Sequence, residues 1–278
     1  MANVSLNASF RANLSALQET STLLASTQAR IGSGKKVASA IDDPTAFFTA
    51  QALTNRSSNL TSRLDGIAKG IQTVKAATAG ITGITALLKQ AKGIATDARA
   101  LATTGADTER TAASTKYATI MAQVNSMAKD SGYDGVNLLA SDSLTVQFGE
   151  KTGSSTLALS GFSGQAGGTV VTATATSGTW AGNGNAAIDT DLGKIEESIT
   201  NLETQAKTLS SNLATMTTRQ TFTKDMASTL SNGADDLTNA DLNVESANML
   251  ALNTQHSLAI NSLSLASQAS QGVLKLLG

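Results

Sequence analysis

Apolar residues recur near both ends of the chain at the spacing of an amphipathic helix. The stripe near the carboxyl end, with steps of three, four and seven residues, consists of Leu242, Met249, Leu252, Ala259, Leu263, Ala266, Val273 and Leu277. The corresponding positions near the amino end are Leu6, Phe10, Leu14, Leu17, Leu24 and Ile31. The pattern predicts two terminal helices that pair with each other and with copies of themselves.

The carboxyl-terminal stripe belongs to a segment that is too polar for a membrane span. Between Glu245 and Lys275 it carries no formally charged residue, but asparagine and glutamine interrupt it repeatedly. Its stripe residues are small or medium in size, so burying them cannot offset the conformational entropy of ordering the whole segment. We therefore expect the terminal helices to be disordered in the monomer and to fold when neighbouring subunits cover them.

Two longer segments between the termini also have a helical period. From residue 45 to about 101 the apolar repeat is close to seven residues, and a regular repeat returns from 188 to 216. Such a repeat predicts left-handed, coiled-coil-like packing of long helices. Helix interiors disfavour glycine by about 1 kcal/mol, so the glycines of the first segment are expected at close approaches between helices. These are Gly66, Gly70, Gly80, Gly83 and Gly93.

Acidic residues mark the predicted bends beside the terminal helices. Asp42 and Asp43 precede Pro44, an order typical of a first helical turn. Gly233, with acidic residues at 235 and 236, predicts the second interruption, just before the terminal helix. Helix capping explains both acidic pairs better than acid–base catalysis does.

The middle of the chain combines a shorter helix with β structure. Residues 102–110 read as a turn, the helix follows with apolar positions from 113 to 127, and SGYDG at 131–135 ends it. The period then becomes two at Leu144, Val146, Phe148, Leu157 and Leu159, which predicts a hairpin turned by GEKTG. Residues 161–187 are mostly small and polar, and they predict a surface loop or a small β segment that varies in length.

Composition favours a structural protein over an enzyme. The chain has 278 residues, of which 3% are aromatic, and a net charge of -1, which gives no basic face for nucleic acid. It has no cysteine, and its single histidine, His256, cannot form a zinc site of the HExxH type. We interpret His256 as a structural residue of the terminal stripe, either packed or paired with a polar group. The amino-terminal residues do not form an ordinary cleavable signal peptide, so we expect either a cytoplasmic protein or export by another route.

Several motifs in order resemble bacterial flagellin, the subunit of the flagellar filament. They are RIGSGKKVASAIDDPTA, GYDGVNLLA, ADLNVESANML and SLASQASQGVLKLLG, within the ranges 3–150 and 188–278. The short middle and the run TFTKDMASTLSNGADDLTNADL are most similar to flagellins of the alphaproteobacterial type. A hook–filament junction protein is the alternative, since it would share the terminal helices while usually departing from these motifs.

The resemblance implies a mainly α fold, in which the two ends of the chain form a long coiled-coil-like helical rod with a small β-hairpin region at the far end. Residues 1–42 with 235–278 would be the filament core, and residues 43–160 with 188–234 would be the rod and hairpin. Residues 161–187 would be a short exposed variable segment. The stripes listed above would assemble the core.

The resemblance also implies the partners and location of the chain. These are copies of itself, the flagellar type III export apparatus, an export chaperone, the filament cap and the hook-junction proteins. The protein would be extracellular, in the filament. It would serve swimming motility as a structural subunit, with no enzymatic activity, cofactor or metal. No nucleic-acid binding or membrane insertion is implied.

One further implication concerns the innate flagellin receptor of animal hosts. Activating flagellins carry the segment LQRVRELA on the long rod helix, and its counterpart here begins at Leu88 and reads LKQAKGIA. The two arginines become Gln90 and Lys92, the glutamate becomes Gly93, and Ile94 follows. Because planar guanidinium contacts and one acidic group are lost, weak or absent activation is expected.

Overall fold

The computed structural model describes residues 8–150, 155–175, 180–182 and 185–277, with side chains described between 11 and 268 in these ranges and at 271. The elements, in chain order, are α1 (Ala8–Ser33), α2 (Pro44–Ala100), α3 (Asp107–Asp130), β1 (Leu144–Gln147), β2 (Thr156–Leu159), α4 (Ala186–Thr238) and α5 (Leu242–Leu277). The prediction of a mainly helical chain with a small hairpin is confirmed.

The chain forms two compact units, each built from distant parts of the sequence. One contains Met1–Asn55 and Thr229–Gly278, and the other contains Arg56–Ser228. The second unit, which we call the central unit, holds the large apolar core, to which α2, α3 and α4 contribute residues. Those of α2 follow the predicted repeat of about seven residues. Fully buried members on these helices are Ile67, Val74, Ile84, Leu88, Met121, Val124, Ile188, Ile195, Leu202 and Met216.

Three of the five glycines lie in close contact with other parts of the chain, although the partners are not all helices, and two do not. A Cβ on Gly70 would lie 2.6 Å from a methyl group of Val146 on β1, and those on Gly80 and Gly83 would collide with Ser131 and Met127. No other side chain or distant backbone lies within 4 Å of such an atom on Gly66 or Gly93. The prediction is therefore wrong for these last two glycines, because they lie on the exposed side of α2.

The predicted hairpin is present as β1 and β2. Leu144 pairs with Leu159 and Val146 pairs with Leu157 in an antiparallel ladder. Val146 and Leu159 are buried against the core of the central unit, whereas the intervening positions are more exposed. The predicted turn GEKTG is residues 149–153, of which 151–153 lie outside the described residues.

The segment from 161 to 187 is not simply an exposed loop, which corrects the prediction. Val171, Ala173 and Trp180 are fully buried, and they belong to the core of the central unit. The indole Nε1 of Trp180 donates a 2.8 Å hydrogen bond to Asp191, and Asn201 donates to the Val170 carbonyl. These apolar and hydrogen-bonded contacts hold the described part of the segment against the helices.

The break before the last helix also differs from the prediction. α4 continues through Gly233 to Thr238, and the interruption is at residues 239–241. A Cβ on Gly233 would be 3.6 Å from Leu53, so the glycine lies against α2 within a continuous helix. Asp241, rather than the acidic pair at 235 and 236, caps α5, since its Oδ1 accepts from the N–H of Asn243 at 2.9 Å.

The turn before α3 is shorter than predicted. Residues 102–110 read as a turn, but α3 begins at Asp107. Two acidic residues, Asp107 and Glu109, lie in its first turn, where the helix dipole favours negative charge.

Candidate assembly surface

Backbone hydrogen bonds join the end of α1 to the start of α5. Gly34 has a φ of +70°, a conformation that glycine adopts without strain. Its carbonyl accepts from the N–H of Ala240 at 2.9 Å. The Thr238 carbonyl accepts from the N–H groups of Lys36 and Val37, at 2.8 and 3.2 Å. These bonds fix the two chain segments side by side and start α5 beside the end of α1.

The following turn is organised by two aspartates with separate roles. Asp42 Oδ2 accepts from the N–H of Ser39 at 2.9 Å, from the Ser39 hydroxyl and from the N–H of Ala38. These bonds, those from Ser39 first, hold the pKa of the Asp42 carboxyl below its ordinary value. Asp43 caps α2, since its Oδ1 accepts from the N–H of Ala46 at 3.0 Å. The predicted capping role is thus confirmed for Asp43, whereas Asp42 holds the turn itself.

α1 and α5 pack against each other in antiparallel directions. Arg30, near the end of α1, forms an ion pair of 3.4 Å with Glu245, near the start of α5. Further along, Leu23 and Leu252 border the same small groove. The less exposed positions of both helices have alternating steps of three and four residues, which is the spacing of a two-stranded coiled coil.

We call these positions the seam. It consists of Asn13, Leu17, Thr20, Leu24, Thr27 and Ile31 on α1 and of Glu245, Met249, Leu252, His256, Ala259, Leu263 and Ala266 on α5. Its most buried members are polar, since Thr20, Thr27 and Glu245 are 4%, 6% and 8% exposed. The apolar stripes of the sequence do not include these three residues because they are polar, although they continue the same spacing of three and four residues.

The polar seam residues differ in how completely their side chains are hydrogen-bonded. The Thr20 hydroxyl donates to the Ala16 carbonyl one turn earlier at 2.8 Å. Glu245 pairs with Arg30 through one oxygen, while its Oε2 is buried without a hydrogen-bond partner among the described residues. Because an isolated buried carboxylate is costly, the α1–α5 pair depends on Arg30.

The structure divides the predicted assembly stripe into three groups. Leu17, Leu24, Ile31, Met249, Leu252 and Leu263 lie on the seam between α1 and α5. Leu14 and Leu242 are more exposed, at 37% and 49%. The side chains of Leu6, Phe10, Val273 and Leu277 lie outside the described residues.

The opposite side of α5 exposes a second set of large apolar side chains. Leu250, Leu258 and Leu265 follow steps of eight and seven residues, and they are 71%, 64% and 67% exposed. Ile260 on α5 and Leu23 on α1 are also exposed, at 46% and 49%. We call Leu250, Leu258 and Leu265 the outer face. A run of exposed leucines on one helix is typical of an interaction surface, and the sequence reading did not single it out.

The counterpart of the receptor segment lies on α2 in the central unit. Leu88 is fully buried in the core, and Ile94 is partly buried. Gln90 and Gly93 are exposed, and the Lys92 ammonium forms an ion pair of 2.9 Å with Glu196 of α4. Only part of this segment is therefore available to a partner.

In the parts of the chain that the structure describes, no three histidine or acidic side chains come close enough together to hold a metal ion. No described helix is both long enough and apolar enough to cross a membrane. His256, the predicted structural residue, is partly exposed on the seam.

Comparison with known families identifies this arrangement of paired terminal helices. A family model described as the bacterial flagellin N-terminal helical region matches residues 4–143, and the bacterial flagellin C-terminal helical region matches residues 192–277. The chain belongs to the bacterial flagellin family. The two matches include all of α1, α2, α3 and α5 and α4 from residue 192 onward, and between them they leave out residues 144–191.

Individual flagellins are similar to this chain, two of them over nearly its whole length. Flagellin FljK of Caulobacter vibrioides is 27% identical over 99% of this chain and 98% of its own length. A flagellin of Brucella melitensis is 26% identical over 99% of both chains. Flagellin B of Rhizobium meliloti is 35% identical, but over 34% of this chain and 24% of its own length. All three sources are alphaproteobacteria, as the resemblance indicated.

Membership of this family gives the function. The flagellin chain is a structural subunit of the bacterial flagellar filament, which is extracellular and serves motility. The relatives that match over their full length are flagellins, so the hook–filament junction alternative is not favoured.

Proposed function

We propose that the unit made of Met1–Asn55 and Thr229–Gly278, which we call the terminal unit, supplies the contacts of the filament core through α1 and α5. The observation that carries this proposal is the outer face, whose leucines are exposed although the seam already uses the other side of α5. In this proposal residues 1–42 with 235–278 form the core, and residues 43–160 with 188–234 form the rod. The described part of 161–187 then belongs to the rod.

The size of the hydrophobic effect supports assembly through the outer face. Full burial of one leucine side chain contributes about 1.5–3 kcal/mol, so covering Leu250, Leu258 and Leu265 between subunits would contribute several kcal/mol to each addition. The seam residues Met249, Leu252 and Leu263 would instead hold α5 to α1 within each subunit.

Deletion of residues 260–278 tests this function. We expect the truncated chain to lose polymerisation, because the end of α5, including Leu265, is removed. The core of the central unit lies in residues 67–216 and is left intact. Electron microscopy of seeded protein measures filaments, and circular dichroism of the monomer checks that the helical content and melting of the central unit remain. Filament formation by the truncated chain at ordinary concentrations would contradict the proposal.

A point variant distinguishes the role of the outer face in assembly from that of the seam. Leu258→Ser changes an exposed side chain, and we expect it to raise the critical concentration for polymerisation without altering monomer unfolding. Tyr133→Ser, at an exposed apolar position of the central unit, is the matched control and should polymerise normally. Equal effects of both substitutions would argue against a specific role of the outer face.

The remaining partners are proposed from the flagellin family. The chain would be exported by the flagellar type III apparatus, with an export chaperone bound before assembly, and would meet the filament cap and the hook-junction proteins at the two filament ends. It would have no catalytic activity. Size-exclusion chromatography of the unpolymerised chain with a purified export chaperone tests one of these partners. A stable complex supports it, and separate elution contradicts it.

A further inference from the structure

One large apolar side chain projects into solvent from the turn before α2. Ile41 is 93% exposed, more than any other large apolar side chain that the structure describes. The turn is held by Asp42, which accepts from the N–H of Ala38 and Ser39, and by the N–H of Asp42, which donates to the Ser39 carbonyl at 3.2 Å. Ile41 is therefore an apolar knob on a hydrogen-bonded support, an arrangement that leaves apolar surface in water without a partner.

The same terminal unit contains a groove of matching character. It has a volume of about 320 Å³, and its apolar lining includes Val37, Ala38, Phe47, Ala50 and Ala234. A water molecule occupies roughly 30 Å³ in the liquid, so the groove has room for a branched aliphatic side chain. We call it the α2–α4 groove.

Charges near the knob and the groove favour a second copy as the occupant. Ile41 is followed by two carboxylates, Asp42 and Asp43, and the exposed Lys35 lines the α2–α4 groove. An incoming turn would therefore bring acidic groups towards Lys35. Asp235 also lines the groove and is its one acidic group, which places the incoming carboxylates on the Lys35 side.

We propose that Ile41 of one subunit inserts into the α2–α4 groove of the next subunit in the filament. The proposal rests on the filament function and names one contact that would contribute to it. Knob and groove are different surfaces of the same chain, so the contact is heterologous and each subunit offers both halves. Repetition of such a contact gives an open helical array rather than a closed dimer.

Cross-linking between two single-cysteine chains tests this contact. The natural chain has no cysteine, so Ile41→Cys and Gln51→Cys can be introduced separately, the second at an exposed position that lines the groove. The two variants are copolymerised, oxidised and analysed on a denaturing gel, with mass spectrometry of the linked peptides. We expect a disulfide between position 41 of one chain and position 51 of another.

The control pairs Ile41→Cys with Gln123→Cys, an exposed glutamine position on α3 in the central unit. This pair should give no cross-link in filaments, and the first pair should give none when the subunits are dissociated. Filaments that form without the 41–51 cross-link overturn the contact and leave the filament function intact. If the unmodified chain forms no filaments, both the contact and the assembly function fail.

Substitutions without cysteine give an independent measurement. Ile41→Ser removes the knob, and Ala38→Leu fills the groove from an exposed lining position. Each is expected to raise the critical concentration roughly tenfold or more, since one apolar contact is lost per added subunit. Lys89→Ser, at an exposed position on α2, should leave the critical concentration unchanged. Wild-type critical concentrations for Ile41→Ser and Ala38→Leu would overturn the proposal.

Discussion

Individual buried side chains show where polar groups are tolerated in the central unit. Tyr117 is fully buried, and its ring centroid lies 5.1 Å from that of Trp180. Its hydroxyl has no hydrogen-bond partner among the described residues. Burial, with a smaller contribution from the Asp191 carboxylate, raises the pKa of Tyr117 well above its ordinary value of 10.0. The ionised form is therefore strongly disfavoured in the folded chain.

Tyr117→Phe should be neutral or slightly stabilising at neutral pH, because it removes a buried hydroxyl that makes no hydrogen bond. In alkali the wild type should lose stability above about pH 10, because the unfolded chain releases the Tyr117 proton while the folded chain retains it. The slope from this one group is at most about 1.4 kcal/mol per pH unit. Tyr117→Phe should remove it.

Urea unfolding between pH 8 and 11.5, followed by the fluorescence of the single Trp180, measures this effect. Tyr133→Phe is the matched control, since Tyr133 is 42% exposed, and it should keep the wild-type pH dependence. An unchanged alkaline slope in Tyr117→Phe would show that Tyr117 does not titrate on unfolding.

At the scale of helices, some glycines of α2 are required by close packing, whereas others lie where a larger residue would fit. Gly80 on α2 faces the end of α3, where an added Cβ would lie 2.6 Å from the Cβ of Ser131 and 3.0 Å from a methyl group of Leu139. Gly66 on the same helix faces open space. The same substitution at the two positions therefore has opposite consequences.

Gly80→Ala should destabilise the chain by roughly 1–3 kcal/mol, the usual range for overpacking. Gly66→Ala should stabilise it by up to about 1 kcal/mol, because alanine is the better helix former. Chemical denaturation of the two purified variants in the monomeric state measures both. A stabilised Gly80→Ala would mean that Ser131 and Leu139 move aside at little cost.

The helices could be predicted from the sequence because their packing repeats. The heptad positions that are buried in α2 and α4 are those that the period indicates, and the hairpin follows from alternation at Leu144 and Val146. The contacts of Trp180 and Val171 have no period, so the burial of their segment was missed. The prediction of a break at Gly233 is wrong, because glycine costs a helix only about 1 kcal/mol. The packing of a continuous α4 stabilises the helix by more than that.

The same argument explains the assembly surface. The α1–α5 seam could be predicted in part, since Leu17, Leu24 and Met249 carry its period. Its polar members, such as Thr20 and Glu245, could not be recognised by hydrophobicity. The outer face could not be distinguished from the seam either, because sequence spacing places residues on faces of a helix but does not decide which face meets α1.

At the scale of the whole molecule, apolar burial is distributed unevenly. The large core lies in the central unit. In the terminal unit, the buried apolar side chains among the described residues are the smaller set Val37, Ala50, Leu230 and Ala234. The central unit therefore has more buried apolar surface to stabilise it as a monomer, and the terminal unit gains more stability from contacts with other subunits.

The surface of the central unit bears on recognition by an animal host. We expect the dissociated monomer to activate the innate flagellin receptor weakly or not at all, because Gln90, Lys92 and Gly93 stand where activating flagellins have two arginines and a glutamate. Loss of buried charged hydrogen bonds at an interface commonly costs roughly 2–5 kcal/mol, which corresponds to tens to thousands of fold in affinity. The Lys92 ammonium, moreover, is already paired with Glu196.

A cell reporter assay that compares this monomer with an activating flagellin measures the difference. The triple variant Gln90→Arg, Lys92→Arg and Gly93→Glu should increase the response, and Lys116→Arg, at an exposed position on α3, should not. A wild-type response at the concentration of an activating flagellin would show that these three positions are not the determinants.

The terminal unit contains both ends of the chain, residues 1–55 and 229–278, joined at Gly34 and Ala240. A ribosome makes α5 only after α1 and the central unit, so the α1–α5 seam cannot form until α5 has been synthesised. A chain that is cut short by premature release or proteolysis keeps the central unit but lacks one half of the seam. The fold thereby excludes truncated chains from assembly, since only a subunit that contains both α1 and α5 can form the surface through which it would join the filament.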